Sequence, residues 1–132
     1  MKRKLPALTA ESSSFWQGGG SGQLMIHYCE DCEQFFHPPG PICPRCTGDR
    51  IAPRAVSGRG IVATYTINHQ RWHPDLEAPF VVAMVELDEQ PNLRFVTNII
   101  NCAPESVYVG MRVKVNFLQQ EDVWLPLFEA ES

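Results

Sequence analysis

Residues 29–46 read CEDCEQFFHPPGPICPRC, in which two Cys-x2-Cys hooks are separated by ten residues. Two cysteines at this spacing can reach one ion from a single tight turn, and two such turns complete the tetrahedron of thiolates that zinc prefers. Because Cys29, Cys32, Cys43 and Cys46 leave no open coordination position, the pattern predicts one structural Zn²⁺. A pair of disulfides is the alternative for the same four cysteines.

The residues next to the second hook agree with a tight metal-binding turn. Pro44 stiffens the turn, and Gly48, which follows closely, is expected to adopt a positive φ. Cys102 is a fifth cysteine with no partner by spacing, and a small buried apolar residue is favoured over a reactive thiol.

The composition favours a cytoplasmic protein. The chain has 132 residues and a formal net charge of −4, which suits one domain or a small module joined to one domain. The basic residues 2–4 precede no apolar stretch, so no secretory signal is expected, and no segment approaches the ~20 apolar residues that span a bilayer. In the cytoplasm thiols stay reduced, which favours metal over disulfides.

Hydrophobic alternation predicts strands on both sides of the hooks. Two ribbon strands are predicted at 24–28 and 51–56. In the barrel that follows, Ile61, Ala63, Tyr65 and Ile67 are expected to share one face, and Pro126 is expected to place the last strand at a sheet edge. Five barrel strands are predicted at 61–67, 80–87, 93–101, 111–117 and 123–128, with a single helical turn over 103–108.

This layout is typical of a mainly β protein that contains an OB-fold, since five strands with a helical turn between the third and fourth form such a barrel. We predict a short N-terminal helical segment with a glycine-rich connector at 1–22, a four-cysteine rubredoxin-like zinc ribbon at 23–56 and the five-stranded OB-fold barrel at 57–132. The run 18–22 reads GGGSG and is interpreted as a flexible connector, because it lacks the ending of a phosphate-binding loop.

Several motifs follow one another in a specific order. They are Phe15-Trp16 in a short N-terminal segment, the ribbon with two prolines before its second hook, SGRG at 57–60 and VGMRVKV at 109–115. In this order they resemble the zinc-ribbon/OB-fold proteins associated with acyl-CoA metabolism, and the resemblance covers nearly the whole chain. One departure is Glu33, which stands where the family usually has glycine; it alters the first turn but removes no ligand.

The resemblance implies a partner subunit of a thiolase-fold enzyme. Complexes of this kind include acetoacetyl-CoA thiolase with hydroxymethylglutaryl-CoA synthase, retro-aldolases of steroid side-chain breakdown, and acyltransferases that build acylated phloroglucinols. The barrel and the N-terminal segment would scaffold the catalytic subunit and help enclose acyl-CoA or the product, and the nucleophilic cysteine would belong to the partner. Because thiolase-fold enzymes are commonly dimers, a hetero-oligomer with two or more copies of this chain is implied.

The residues give little reason to expect catalysis by the chain itself. His69, His73 and Asp75 could form an acid–base group or a second metal site. On a loop their spacing does not align the imidazoles, so a solvated loop with Trp72 packed on the barrel or a partner is favoured. No Ser/His/Asp order or paired carboxylate set stands out, and no catalytic residue is predicted.

Four aromatic residues are candidates for a partner or substrate interface, because aromatic side chains dominate binding energy; core packing is the alternative for each. They are Phe15, Trp16, Trp72 and Trp124. Since OB barrels and zinc ribbons also bind single-stranded nucleic acid, with Tyr65, Trp72, Phe95 and Trp124 available for stacking, that function is kept as the alternative. The acidic net charge argues against it, because such binding depends on phosphate neutralisation.

Overall fold

The computed structural model describes residues 8–9, 12–37, 39–69 and 79–131. It contains mostly strands and one short helix, which confirms the predicted mainly β fold class. In chain order the elements are α1 (Ser13–Gln17), a 3-10 turn (Gly18–Ser21), β1 (Leu24–Cys29), β2 (Gln34–Phe36), β3 (Ile51–Val56), β4 (Arg59–Asn68), β5 (Phe80–Leu87), β6 (Arg94–Ile100), a second 3-10 turn (Pro104–Ser106), β7 (Arg112–Gln120) and β8 (Val123–Ala130). None of the described helices has the length and hydrophobicity needed to cross a membrane.

The ribbon is a three-stranded antiparallel sheet with β1 in the centre, between β2 and β3. Cys29 is the last residue of β1, so the first hook begins where the central strand ends. Leu24 and Ile26 of the same strand are buried in the core cluster that fills the barrel. The ribbon and the barrel therefore share one hydrophobic core, to which β1 contributes.

The second part is a closed barrel with the strand order β4-β5-β6-β8-β7, and the pairing of β4 with β7 completes the circle. Its interior contains the side chains that solvent does not reach, because alternate residues of each strand point inward. These include Val62, Val85, Val113 and Phe128. The five-stranded OB-fold predicted from the strand pattern is confirmed.

The face predicted for the first barrel strand is wrong. The register between β4 and β5 shifts between Val62 and Thr64, as in a β-bulge. A bulge adds one residue to one strand and moves the following side chains to the opposite face. Before it, Val62 is 0% exposed; after it, Tyr65 and Ile67 pack partly buried against the core.

The expectation that Pro126 places the last strand at a sheet edge is also wrong, because β8 lies between β6 and β7. It pairs with β7 from Val123 to Ala130, but with β6 only at Phe128 and Glu129. Pro126 therefore has no strand partner on the β6 side. The hydroxyl of Thr97 instead donates a hydrogen bond of 2.7 Å to the Pro126 carbonyl. We call this stretch, between residues 94–97 of β6 and 124–126 of β8, the seam.

The glycine-rich run, interpreted from the sequence as a flexible connector, has a defined conformation in the structure. It forms a 3-10 turn that packs on β7 and β8. A Cβ atom on Gly19 would lie 2.5 Å from Cβ of Trp124 and 2.6 Å from Cδ1 of Phe117. Glycine is needed here because the backbone approaches these two side chains too closely for any other residue.

Candidate metal centre and apolar groove

The four hook cysteines lie together, as predicted. Their Sγ atoms are all within 4.8 Å of one another. The Sγ atoms of Cys29 and Cys46 are 3.6 Å apart, as are those of Cys32 and Cys43. A tetrahedral zinc ion with Zn–S bonds of about 2.3 Å has S···S edges of about 3.8 Å, so the thiols fit Zn²⁺. All four are free cysteines rather than disulfides.

Backbone groups support the thiols of the second hook. The N–H of Arg45 donates to Sγ of Cys43, and the N–H of Gly48 donates to Sγ of Cys46, each at 3.4 Å. Such bonds disperse the negative charge of a thiolate. A zinc ion held by four thiolates has no open position, so this centre holds the two hooks together and activates no substrate.

Each hook is followed by one residue in the left-handed conformation. Glu33 follows the first hook with φ of 57°, and Thr47 follows the second with φ of 59°. The expectation that Gly48 takes a positive φ is therefore wrong by one residue. Gly48 instead leaves room for two side chains, because a Cβ atom there would lie 2.9 Å from Oδ2 of Asp31 and 3.2 Å from Sγ of Cys46.

The thiols differ in acidity when no cation is present. The backbone N–H of Cys46, with that of Arg45, lowers the pKa of Cys43 to about 6 against the effect of burial. The Cys46 thiol, together with burial, raises the pKa of Cys32. The N–H of Cys32 lowers the pKa of Cys29, but burial and the neighbouring thiols raise it overall. Because zinc binds thiolates, binding of the ion releases these protons.

A side-chain clamp fixes the ribbon to the barrel. Gln90, in the turn between β5 and β6, accepts the N–H of Phe35 at 2.8 Å and donates to the carbonyl of Phe35 at 2.9 Å. Its neighbour Glu89 accepts the N–H of Ser57 at 2.7 Å. One barrel turn therefore holds both β2 and the segment that connects the ribbon to the barrel. No pattern in the sequence marked Gln90, because its partner lies 55 residues away.

An apolar groove lies where the ribbon, the N-terminal helix and the barrel meet. It has a volume of 760 Å³. Its walls come from α1, from the loop after β2 and from the seam between β6 and β8. The apolar side chains include Phe15, Trp16, Pro39, Met84, Val96 and Leu125, and the polar ones include Thr9, Ser12, His37, Arg94 and Thr97.

His37 is the titratable group most affected by this environment. Its ring centroid lies 4.8 Å from that of Phe15 and 5.5 Å from that of Phe95. Burial, assisted by the nearby His27, lowers the pKa of His37 to about 4. The imidazole is therefore uncharged at neutral pH, so it adds a polar ring without a charge to the groove.

The predicted interface aromatics that the structure describes differ in how deeply they are buried. Phe15 is 4% exposed and belongs to the core, whereas Trp16 is half-buried beside the groove. Trp124 is half-buried and covers Gly19 and Gly20. Trp72, His73 and Asp75 lie outside the described residues, and His69 is exposed.

Of the stacking residues proposed for nucleic acid, the three that the structure describes do not form one exposed surface. Phe95 is 6% exposed and packs against Phe128 at a centroid distance of 5.5 Å. Tyr65 is half-buried against the core, and Trp124 covers the glycine turn. Because single-stranded nucleic acid needs exposed aromatic faces in a basic groove, this arrangement does not favour it.

Two family models match consecutive parts of the chain. The model described as the ChsH2 rubredoxin-like zinc ribbon domain matches residues 16–52. The model described as the ChsH2 C-terminal OB-fold domain matches residues 53–118. The ribbon model covers the four cysteines that the structure brings together, so the ion they are positioned to bind is zinc.

Curated relatives include subunits and scaffold proteins. The chain is 35% identical over 127 residues to a probable enoyl-CoA hydratase alpha subunit of Thermomonospora curvata, and 29% identical over 127 residues to the 3-oxo-4,17-pregnadiene-20-carboxyl-CoA hydratase alpha subunit of Mycobacterium tuberculosis. These matches cover 96% of this chain but 39% and 40% of those relatives. A DUF35 domain-containing scaffold protein of Methanocaldococcus jannaschii is 35% identical over 91 residues, which are 67% of this chain and 63% of that protein.

A solved structure is similar over almost the whole length of both chains. It is a chain of an Ltp2-ChsH2(DUF35) aldolase, with a TM-score of 0.84 and 34% sequence identity. The similarity covers 96% of this chain and 98% of that chain. At this level of identity the backbone arrangement and the order of ribbon and barrel are shared.

Proposed function

We propose that this chain, which belongs to the ChsH2 family of rubredoxin-like zinc ribbon and OB-fold proteins, is a non-catalytic subunit of an acyl-CoA-processing complex. Its partner is a thiolase-fold catalytic subunit of the thiolase, acyltransferase or retro-aldolase type. The chain scaffolds that complex and helps enclose the acyl substrate. The observation that carries the proposal is the similarity, over 96% of this chain and 98% of the other, to a chain of a solved aldolase.

The chemistry of the described residues supports placing the reaction on the partner. The metal centre is a closed set of four thiols. Asp88 forms a bidentate pair with Arg112 at 2.8 and 2.6 Å, and Glu89 is bonded to Ser57. His37 is packed between aromatic rings. These groups are engaged in holding the fold, so proton transfer and nucleophilic attack are assigned to the catalytic subunit.

We place the partner contact at the tryptophans predicted as interface residues. Trp16 and Trp124 are half-buried, so each keeps part of its ring available to a second chain. We propose the same role for Trp72, on the basis of the sequence. The complex is proposed to be cytoplasmic and to contain two or more copies of this chain, in line with the family resemblance.

The experiment that tests the proposal is native purification of the tagged chain from its source cell, with mass spectrometry of the proteins that come with it. We expect a thiolase-fold subunit in a fixed ratio, and acyl-CoA turnover by the complex but not by this chain alone. Recovery of the chain as a single homogeneous species, or with bound RNA, would contradict the proposal. Turnover of acyl-CoA by the purified chain would contradict its non-catalytic part.

A further inference from the structure

The apolar groove has the size and the construction of a small-molecule site. Its 760 Å³ lies within the roughly 300–1,000 Å³ that ligand pockets occupy. Its walls come from three parts of the molecule, which are α1, the loop between the two zinc hooks and the barrel. Zinc fixes both ends of the loop between the hooks, which contributes His37 and Pro39 to the groove.

The groove exists because the barrel is incompletely paired at the seam. The ladder between β6 and β8 covers only Ile99–Phe128 and Ile100–Glu129. Beyond it, residues from both faces of β6 reach the groove, since Phe95 and Thr97 line it together with Val96. Neighbouring residues of a strand point to opposite faces, so the groove reaches the edge of β6 rather than one side of the sheet.

Val96 and Met84 form an apolar surface at the bottom of the groove, which we call the groove floor. Val96 is 63% exposed although it lies in the groove, and Met84 is its neighbour across the β5–β6 pairing. Trp16 and Leu125 face the same space from α1 and β8. Each apolar side chain left accessible in a concave surface favours a ligand that removes it from water.

Arg94, the charged side chain among the described lining residues, is paired within the protein. Nε of Arg94 lies 2.9 Å from a carboxylate oxygen of Glu86. The hydroxyl of Thr97 is used by the Pro126 carbonyl, and the imidazole of His37 is uncharged at neutral pH. A charged ligand would therefore meet no unpaired opposite charge among the described lining residues, whereas an uncharged apolar group would meet complementary walls.

We infer that the groove binds the uncharged apolar acyl group of a thioester substrate, with the nucleotide portion of coenzyme A outside it. The acyl-CoA identity of the ligand depends on the proposed function; the apolar, uncharged character of the bound group depends on the groove alone. The groove thus selects for medium or long acyl chains over an acetyl group, because each buried methylene contributes about 0.8 kcal/mol.

The test is binding of acyl-CoA thioesters to the full-length, zinc-loaded chain, measured by intrinsic tryptophan fluorescence and by calorimetry. We expect decanoyl-CoA to bind about tenfold or more tightly than acetyl-CoA, with free coenzyme A weakest. Val96→Lys places a cation on the groove floor and should weaken decanoyl-CoA binding by about tenfold or more. The matched control is Val109→Lys, because Val109 is an exposed valine, at 64%, that does not line the groove; this variant should bind like the wild type.

Equal affinities for decanoyl-CoA and acetyl-CoA, or equal effects of the two lysine variants, would overturn the inference. Co-purification of each variant with the thiolase-fold subunit separates the inference from the proposed function. If Val96→Lys loses the partner but keeps its affinity for decanoyl-CoA, the groove is a docking surface and the ligand assignment is wrong. If decanoyl-CoA binding depends on Val96 and no partner is recovered with the wild type, the site stands and the proposed function fails.

Discussion

At the level of single residues, the residue that follows each zinc hook has a left-handed backbone conformation. Glu33 and Thr47 both have φ near +60°, where an L-residue with a Cβ atom is strained by about 1–2 kcal/mol. A glycine avoids this strain. The glutamate at position 33, where the family usually has glycine, therefore lowers the stability of the turn. It changes neither the shape of the turn nor its cysteine ligand.

Replacing Glu33 with glycine should raise the free energy of unfolding of the zinc-loaded protein by about 1 kcal/mol, since relief of strain exceeds the added flexibility of the unfolded chain. Urea unfolding monitored by fluorescence measures this. Asp49→Gly is the control, because Asp49 is exposed and is not among the residues with positive φ; it should lose stability instead. A Glu33→Gly protein that unfolds at lower urea than the wild type would show that the side chain contributes more than the strain.

His37 makes stability depend on pH in a defined direction. Burial lowers its pKa from 6.5 to about 4, so the unfolded chain binds the proton at a higher pH than the folded chain. Stability contributed by the neutral ring is complete above pH 6.5 and is lost between about pH 6.5 and 4, by up to about 3 kcal/mol. His37→Gln should lose less stability over this interval.

The measurement is the urea midpoint at several pH values for wild type, His37→Gln and His69→Gln. His69 is exposed, so its substitution should leave the wild-type dependence unchanged. Zinc release in acid affects all three proteins, and only their differences report on His37. Parallel curves for wild type and His37→Gln would refute the assignment.

Among the elements, the strands with a strong local pattern were predictable. The strand at 80–87 was predicted with the bounds of β5, because its apolar run is unmistakable. The β-bulge in β4 and the position of β8 between β6 and β7 were not, since both depend on pairing with distant strands. The packing of Gly19 against Trp124 was missed for the same reason, because composition alone does not distinguish a flexible run from a closely packed one.

The zinc centre and the apolar groove also differ in how far the sequence predicts them. The zinc centre is encoded in eighteen consecutive residues, and its ligands could be predicted from spacing alone. The groove is assembled from Thr9, His37, Val96 and Pro126, which belong to separate elements. No local periodicity links such residues, so only the folded chain shows that they share a cavity.

The turn between β5 and β6 holds the ribbon against the barrel, and Gln90 is the residue of this turn that bonds to β2. Gln90→Ala removes two hydrogen bonds to the backbone of Phe35 and should lower stability by about 1–2 kcal/mol. Hydrogen exchange of the Phe35 amide should accelerate, while exchange inside the barrel should change little.

The control for this prediction is Gln119→Ala, because the side-chain amide of Gln119 donates to the carbonyl of Glu121, two residues along the chain and away from Phe35. It should leave exchange at Phe35 unchanged. Unaltered exchange at Phe35 in Gln90→Ala would mean that the ribbon is held to the barrel by other contacts.

For the molecule as a whole, the stabilising effect of zinc extends beyond the ribbon to the groove and the barrel. The loop between the hooks forms one wall of the groove, and β1 contributes Leu24 and Ile26 to the barrel core. Cys43→Ser should abolish stoichiometric zinc and lower stability by several kcal/mol, because metal binding contributes directly to folding. Partner assembly should fall with it.

Zinc content by plasma mass spectrometry, together with thermal unfolding, measures this effect. Cys102→Ala is the control, since Cys102 lies outside the four-thiol cluster and should retain one zinc per chain. A Cys43→Ser protein that holds one zinc per chain would show that the four-cysteine assignment is wrong.

The docking of the N-terminal helix on the last strand has a consequence for synthesis. Trp16 packs against the cluster of Val123, Leu125 and Leu127, and Gln17 donates to the carbonyl of Asp122, 105 residues along the chain. The ribosome delivers α1 first and its binding surface last. The nascent chain therefore carries Trp16 without its native cover until β8 has emerged, and completion of this contact is a late step whose speed is limited by its long sequence separation.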